Sequence, residues 1–351
     1  MNMKNSEQDL EITEERSHKH LDSSTNYTSS GMVASKNFFK NLLLKLNVTD
    51  LIVILFYIFL SFLNIIFYSR VTEWQFLIFV NILVISFVLL LAELDRPGNL
   101  KLWNQLHYWY LAPLILLTFK ELYVMIKPIR VNDYDYLLIG ADRFLFGTDP
   151  TRELLKIANP VLTEILQIAY GTFYVLPIIL GIDLVMKKRL TALDFSLFSV
   201  VYGFFLSYLG YFLLPAIGPR FTLHDFSSID KELPGLFLTK FLREIVNMGE
   251  SIPTGTPNPA AIVQRDVFPS GHTQMTLITM YLSVKLKAKS RYFLLPTGTL
   301  LIIATVYLRY HYVIDLLGGA LFMAATMWSG KLIYNYWQRF KGKDEFEYQK
   351  F

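Results

Sequence analysis

Along this chain, long and largely uncharged apolar runs alternate with shorter polar stretches. Leu51–Ser69, Phe76–Ala92, Val161–Met186, Phe195–Leu214, Phe293–Leu308 and Tyr312–Ser329 are apolar for most or all of their length. A helix needs about 20 residues to cross a hydrocarbon core of about 30 Å, so these runs predict membrane spans. Thr273–Val284 is shorter and reaches span length only with its basic flank, and Tyr108–Ile126 is interrupted by Lys120 and Glu121. The pattern predicts an all-α polytopic membrane bundle of about eight spans.

The polar stretches organise the rest. Residues 1–35 are rich in Ser, Thr and charge and lack apolar periodicity, so a disordered cytoplasmic tail is expected there. The segment 127–160 mixes Leu, Phe and Tyr with Asp, Arg and a Gly-Thr-Asp-Pro turn, a pattern that predicts short helices lying on the membrane surface. The segment 215–267 carries "PAIGPRF", an amphipathic "LFLTKFLREIVNM" and a Pro/Gly/Thr-rich stretch, and an ordered loop of that length implies function. The expected organisation is a tail over 1–35, two N-terminal spans within 36–104, a main membrane domain over 105–335 and a cytoplasmic tail over 336–351.

Composition agrees with the pattern: 53% of the 351 residues are hydrophobic, 15% are aromatic, and the mean hydropathy is +0.37. The net charge of +4 matters less than its placement. Lys187, Lys188 and Arg189 fill one turn between spans, Lys285, Lys287, Lys289 and Arg291 another, and Lys331, Arg339, Lys341 and Lys343 the end. Basic clusters beside spans are retained in the cytoplasm, which puts both termini inside and the segments 127–160 and 215–267 outside. With no cysteine, thiol nucleophiles, disulfides and thiolate metal sites are excluded.

Candidate chemistry collects on the outer side. In "FPSGHT", Pro269 stops any preceding helix, Ser270 is a favoured N-cap, and Gly271, His272 and Thr273 begin a helix whose first turn has no acidic residue. Such an end suits an anion. In "YLRYHYVIDLLGG", His311 and Asp315 share a helix face four residues apart, so that Asp315 would take the proton of one ring nitrogen and leave the other as a nucleophile, with the cation Arg309 close by. Either motif alone fits an ordinary cap or an interfacial pair. Together on one side of a membrane, where ionisable residues are costly, they point to a site.

Phe-Pro-Ser-Gly-His-Thr (268–273) and Tyr-Leu-Arg-Tyr-His-Tyr-Val-Ile-Asp (307–315), separated by a hairpin of spans, resemble two signatures of the type-2 phosphatidic acid phosphatase superfamily. The Tyr-rich second motif and the "DLLGG" after it resemble the inositol phosphorylceramide synthase branch. The resemblance implies a six-helix core and a phosphoryl-transfer site: His311 attacks phosphorus and becomes a phosphohistidine, Asp315 orients it, and His272 protonates the leaving oxygen. Ser270 and Gly271 would hold phosphate oxygens. The phosphatase-type Ser-Arg pair ahead of the second histidine is replaced by Ala304 and Thr305, so Arg309 is expected to bind phosphate, together with Arg220 of "GPRF".

Asp142 and Arg143 of "ADR" are assigned to structure, and His224 and Asp225 to a loop. The expected partners are a phospholipid or sphingolipid substrate and the membrane, with no nucleic acid and no metal or other cofactor. Three functions compete at this point: headgroup transfer to an acceptor hydroxyl, lipid phosphate hydrolysis with water as acceptor, and a non-enzymatic transporter or scaffold whose histidines bind protons or headgroups.

Overall fold

The computed structural model describes residues 41–94 and 102–348. The expected disordered tail, 1–35, lies outside the described residues. The chain divides into a unit ending at Asn47, in which 41–45 are helical, and a larger unit from Val48 to Phe351. Among the described residues every regular element is a helix.

The larger unit opens with α1 (Val48–Ile66) and α2 (Trp74–Leu94), followed by α3 (Leu102–Trp109) and α4 (Leu111–Ile129). The segment expected on the membrane surface forms α5 (Asp135–Phe146) and α6 (Pro150–Leu154). Then come α7 (Pro160–Gly171), α8 (Val175–Met186) and α9 (Leu190–Leu213). The second long segment forms α10 (Pro219–Thr222), α11 (Ile229–Glu232), the amphipathic α12 (Thr239–Gly249) and α13 (Pro259–Ile262). The chain closes with α14 (Gly271–Lys285), α15 (Arg291–Tyr307) and α16 (Val313–Phe340).

Each apolar run of the sequence is helical, but the runs are not equally spans. Five stretches are long and apolar enough to cross a membrane: α1, α2, Gln105–Ile129, α9 and α16. The run Val161–Met186 is not one helix: α7 and α8 meet at a 54° bend, as in a broken span or a re-entrant loop, so five to six helices have the length and composition of spans. Pro177 explains the break, since a continuous helix would need its missing N–H and would press its ring on the Phe173 carbonyl. At about 1.5 Å per residue, α15 with 17 residues and α14 with 15 fall short of the hydrocarbon thickness.

The helix α14 need not be apolar, because α9, α15 and α16 surround it. Its inward Gln274 donates to the Gly203 carbonyl (3.0 Å) and to Thr326 Oγ1 (3.1 Å) and accepts from Ser207. Gly319 of α16 admits this packing, since a Cβ there would stand 2.7 Å from the Ser270 carbonyl oxygen. The periphery shows the reverse arrangement. On α1 and α2, Leu55, Ile58, Phe62, Phe76, Phe79 and Ile82 point outward, while Asn64 and Asn81 are buried against Glu121 of α4. Apolar side chains outside and polar ones turned inward toward one another are what a lipid solvent selects.

The basic turns meet at one end of the bundle. Arg189 donates to the Leu286 carbonyl (2.8 Å), Asp183 accepts from the Ser290 N–H (2.9 Å), and Phe346 stacks on Phe195 at 4.1 Å. His272 and His311 lie at the opposite ends of α14 and α16.

Candidate active site

The site is built where α14 and α16 begin. Ser270 caps α14 as read from the sequence, its Oγ accepting the Thr273 N–H at 3.2 Å. Its own N–H donates to the Asp315 carbonyl (3.0 Å), which ties the two helix starts together. Gly271 is required here, because a Cβ would collide with the Tyr211 hydroxyl.

The start of α16 is held by three carboxylates. Asp142 accepts the N–H groups of Val313 (2.9 Å) and Ile314 (2.7 Å), and Asp315 accepts that of Tyr312 (2.7 Å). The Tyr312 hydroxyl donates to Asp135 (2.8 Å), which also takes the Ile217 and Gly218 N–H groups. Negative side chains at the positive end of a helix satisfy its free N–H groups and fix the preceding turn. That turn is residues 308–312, and it carries His311. Asp142 therefore has the structural role read for it, and Arg143 pairs with Asp149 at 2.7 Å.

His311 is buried, with its Nδ1 3.0 Å from the Val267 carbonyl oxygen. A carbonyl only accepts, so Nδ1 carries the proton and Nε2 of the neutral ring keeps its lone pair. That lone pair faces Nδ1 of His272 at 3.3 Å. Asp315, expected to orient His311, is within ion-pair distance of it, its nearest oxygen 3.5 Å from Nδ1, longer than the hydrogen bond to Val267. The Val267 carbonyl is the nearer acceptor of that proton; Asp315 Oδ2 accepts the Tyr312 N–H, and its Oδ1 has no hydrogen-bond partner. Burial pushes the His311 imidazolium down to about pKa 4, against the opposing pull of Asp266 and the Val267 carbonyl.

An aromatic ladder supports the pair. Phe173, at the α7–α8 bend, lies 4.2 Å from the His272 ring, Tyr170 stacks on it at 4.7 Å, and Tyr310 stacks on Tyr170 at 4.3 Å. The Arg220 guanidinium covers Tyr310 at 4.6 Å, donates to Asn247 Oδ1 at 3.0 Å and pairs with Glu250. Arg220 is the cation that acts on both histidines. Arg309, also expected at the phosphate, is fully buried, left-handed at φ 68°, and paired with Glu232. Its charge is felt by His224, which burial and that cation push down to about pKa 4. Its Nε and Nη2 make no hydrogen bond. His224 itself bonds Thr151 (2.9 Å), while Asp225 caps the next turn through Ser227 and Ser228.

Asp266 was missed by sequence reasoning. It is half-buried, and burial raises its pKa against the pull of the nearby His311 and Arg220 charges. The signal was its place in "RDVFPSGHT", six residues before His272. Tyr170 gave no signal, since an aromatic inside an apolar run reads as core. Among the described residues no cluster of His, Asp and Glu has the form of a metal site.

Neither curated proteins nor solved structures gave a match to the chain. The family model described as the PAP2 superfamily matches residues 138–329, more than half of the chain, and that range includes both histidine motifs. Members of this superfamily are phosphatases and phosphotransferases that use a histidine nucleophile. The chain belongs to the PAP2 superfamily and is an integral membrane lipid phosphatase or phosphotransferase of that type.

Proposed function

We propose that the protein is a lipid phosphotransferase that moves a phosphate-bearing headgroup from a lipid donor to an acceptor hydroxyl through a phosphohistidine on His311. The observation that carries this reading is the His311 ring, with Nδ1–H held by the Val267 carbonyl and the Nε2 lone pair aimed at the Nδ1 of His272. Nε2 attacks phosphorus, the bond from phosphorus to the lipid oxygen breaks, and that oxygen takes the proton of His272. The acceptor hydroxyl then gives its proton to His272 and attacks phosphorus, which releases His311. Arg220, Gly271 N–H and Ser270 would stabilise the phosphate oxygens, since phosphoryl transfer depends on positioning and charge. The unbonded Nε and Nη2 of Arg309 leave it a secondary place in that role. Asp315 acts by holding the turn, and Asp266 by opposing the positive charge that builds on His311.

A cavity of about 90 Å³ beside Arg220 and Tyr310, with Phe226, Ile229 and Leu308 on its apolar side, supports transfer to a hydroxyl over hydrolysis. Lys240, Arg243, Asp230, Glu244 and Asn247 also line it, a mixture of donors and acceptors suited to a polyol rather than to an apolar group. The Tyr-rich second motif supports the inositol phosphorylceramide synthase branch, whose donor headgroup is a polyol phosphate. The basic turns at the far end of the bundle support a site on the extracytoplasmic face and cytoplasmic termini. We take 105–335 as the catalytic domain, with the two spans of 36–104 added before it.

The test is to offer the purified protein phosphatidic acid, phosphatidylinositol and a ceramide, and to measure free phosphate against transferred headgroup. Transfer from phosphatidylinositol to ceramide is the expected result. Release of phosphate from phosphatidic acid alone would decide for the phosphatase.

A further inference from the structure

Beside the bend between α7 and α8, an apolar cavity of about 310 Å³ lies between α3, α4, α8 and α9. Trp109, Leu116, Tyr174, Gly181, Leu193 and Phe204 mark its extent, and no charged side chain lines it. Ser196, a polar residue in the wall, turns its hydroxyl back to the Ala192 carbonyl at 2.7 Å. From Phe204 to Leu193 the cavity follows eleven residues of α9, about 16 Å at the helical rise, the reach of about a dozen methylenes.

The upper end of the cavity adjoins the site. Phe173 lies 4.2 Å from His272 on one side, and 4.7 Å from Tyr174 and 6.1 Å from Phe204 on the other. Laterally, Leu116 and Tyr174 are 46% and 44% exposed on the surface that faces lipid, so a chain can slide in from the bilayer. We infer that this cavity binds one acyl chain of the substrate lipid, with the phosphate at His311 and the chain running past Phe173 toward Trp109. The inference rests on the phosphotransfer reading above. It gives the enzyme a ruler: a chain that fills the cavity anchors the phosphorus, and a chain that stops short does not.

Gly181 is the place to test it, because a Cβ there would lie 3.6 Å from both Leu193 and Trp109, at the inner end. With Gly181→Phe, kcat/KM for a dihexadecanoyl donor should fall about tenfold or more, while a dioctanoyl donor with the same headgroup is turned over as before. Leu193→Ala, which deepens the cavity, should move the preference toward longer chains. Unchanged chain-length preference in both variants, or an equal loss for both donors, would overturn the inference. A second readout needs no turnover: in a variant that keeps only Trp109, phosphatidic acid brominated on its acyl chain should quench fluorescence saturably, and Gly181→Phe should abolish the quenching. Quenching without turnover would sink the phosphotransfer reading and leave the acyl site standing. Turnover without quenching would do the opposite.

Discussion

Among the described residues, two buried histidines stand beside buried aspartates at opposite ends of the bundle, and they differ in what their ring nitrogens face. At the start of α1, Asp50 receives His107 Nε2 at 3.0 and 3.1 Å and the Tyr110 hydroxyl at 3.0 Å. At the start of α16, Asp315 stands 3.5 Å from His311 and holds a backbone N–H instead, while His311 Nε2 is kept for another imidazole. The first pair puts its ring nitrogen into a carboxylate, which suits a helix contact at membrane depth. The second gives its proton to a carbonyl and keeps a lone pair. The difference shows that a histidine near a carboxylate is not by itself a catalytic signal, and that the partner of each ring nitrogen decides.

Replacing each histidine in turn breaks this comparison most directly. His311→Gln should lower kcat by about 10⁴-fold or more with the fold intact, as loss of a nucleophile does. His107→Gln should leave kcat within a few-fold of the parent and lower the melting temperature, because it disturbs the buried Asp50 contact. If the effects were exchanged, the assignment of the two pairs would be wrong.

Arg220→Gln sharpens the electrostatic half of the site. Removing one preorganised charge from a phosphoryl-transfer site costs about 10²–10³ in kcat, and that loss is expected here. Arg309→Gln should cost less in kcat and more in stability, since it strips Glu232 of its partner. A smaller effect follows from the position of Asp315. As an N-terminal cap rather than an orienting base, it should tolerate Asn with about a tenfold loss or less, because Asn still accepts the Tyr312 N–H. A loss of the size seen on replacing the aspartate of a Ser-His-Asp triad, about 10⁴, would restore it to the direct orienting role.

The smallest effect is in the pH profile. Folding lowers the His311 pKa from the ordinary histidine range to about 4, so the neutral nucleophile persists in the folded enzyme well below pH 6.5. The His311 limb of kcat/KM should therefore lie near pH 4. Stability carries the matching sign: between pH 6.5 and 4 the unfolded chain takes up the proton and the folded one does not, so His311 destabilises the fold as pH falls through that window. An acid limb for kcat/KM at pH 6.5 assigned to His311 would contradict its burial.

The helical bundle was legible because apolar run length is a one-dimensional signal, and the Ser270 cap and the two histidine motifs were legible because each is a short local pattern. The bend at Thr172–Tyr174 was readable in principle from Pro177, but an apolar run hides a proline that sits in the first turn of the next helix. The partner of His311 Nδ1 was not readable at all. Val267 lies 44 residues away and acts through its carbonyl, which every residue type carries. The partner of Arg309 was equally unreadable, since Glu232 lies 77 residues away in the chain.

The central claim is that His311 Nε2 forms the covalent bond to phosphorus. Rapid quenching of the enzyme with a donor lipid labelled in its phosphate, followed by peptide mapping and phosphorus NMR, tests it directly. The account predicts an acid-labile label on His311, attached at Nε2 and absent from His311→Gln. Label at Nδ1, label on His272, or rapid turnover with no label on any histidine would contradict it.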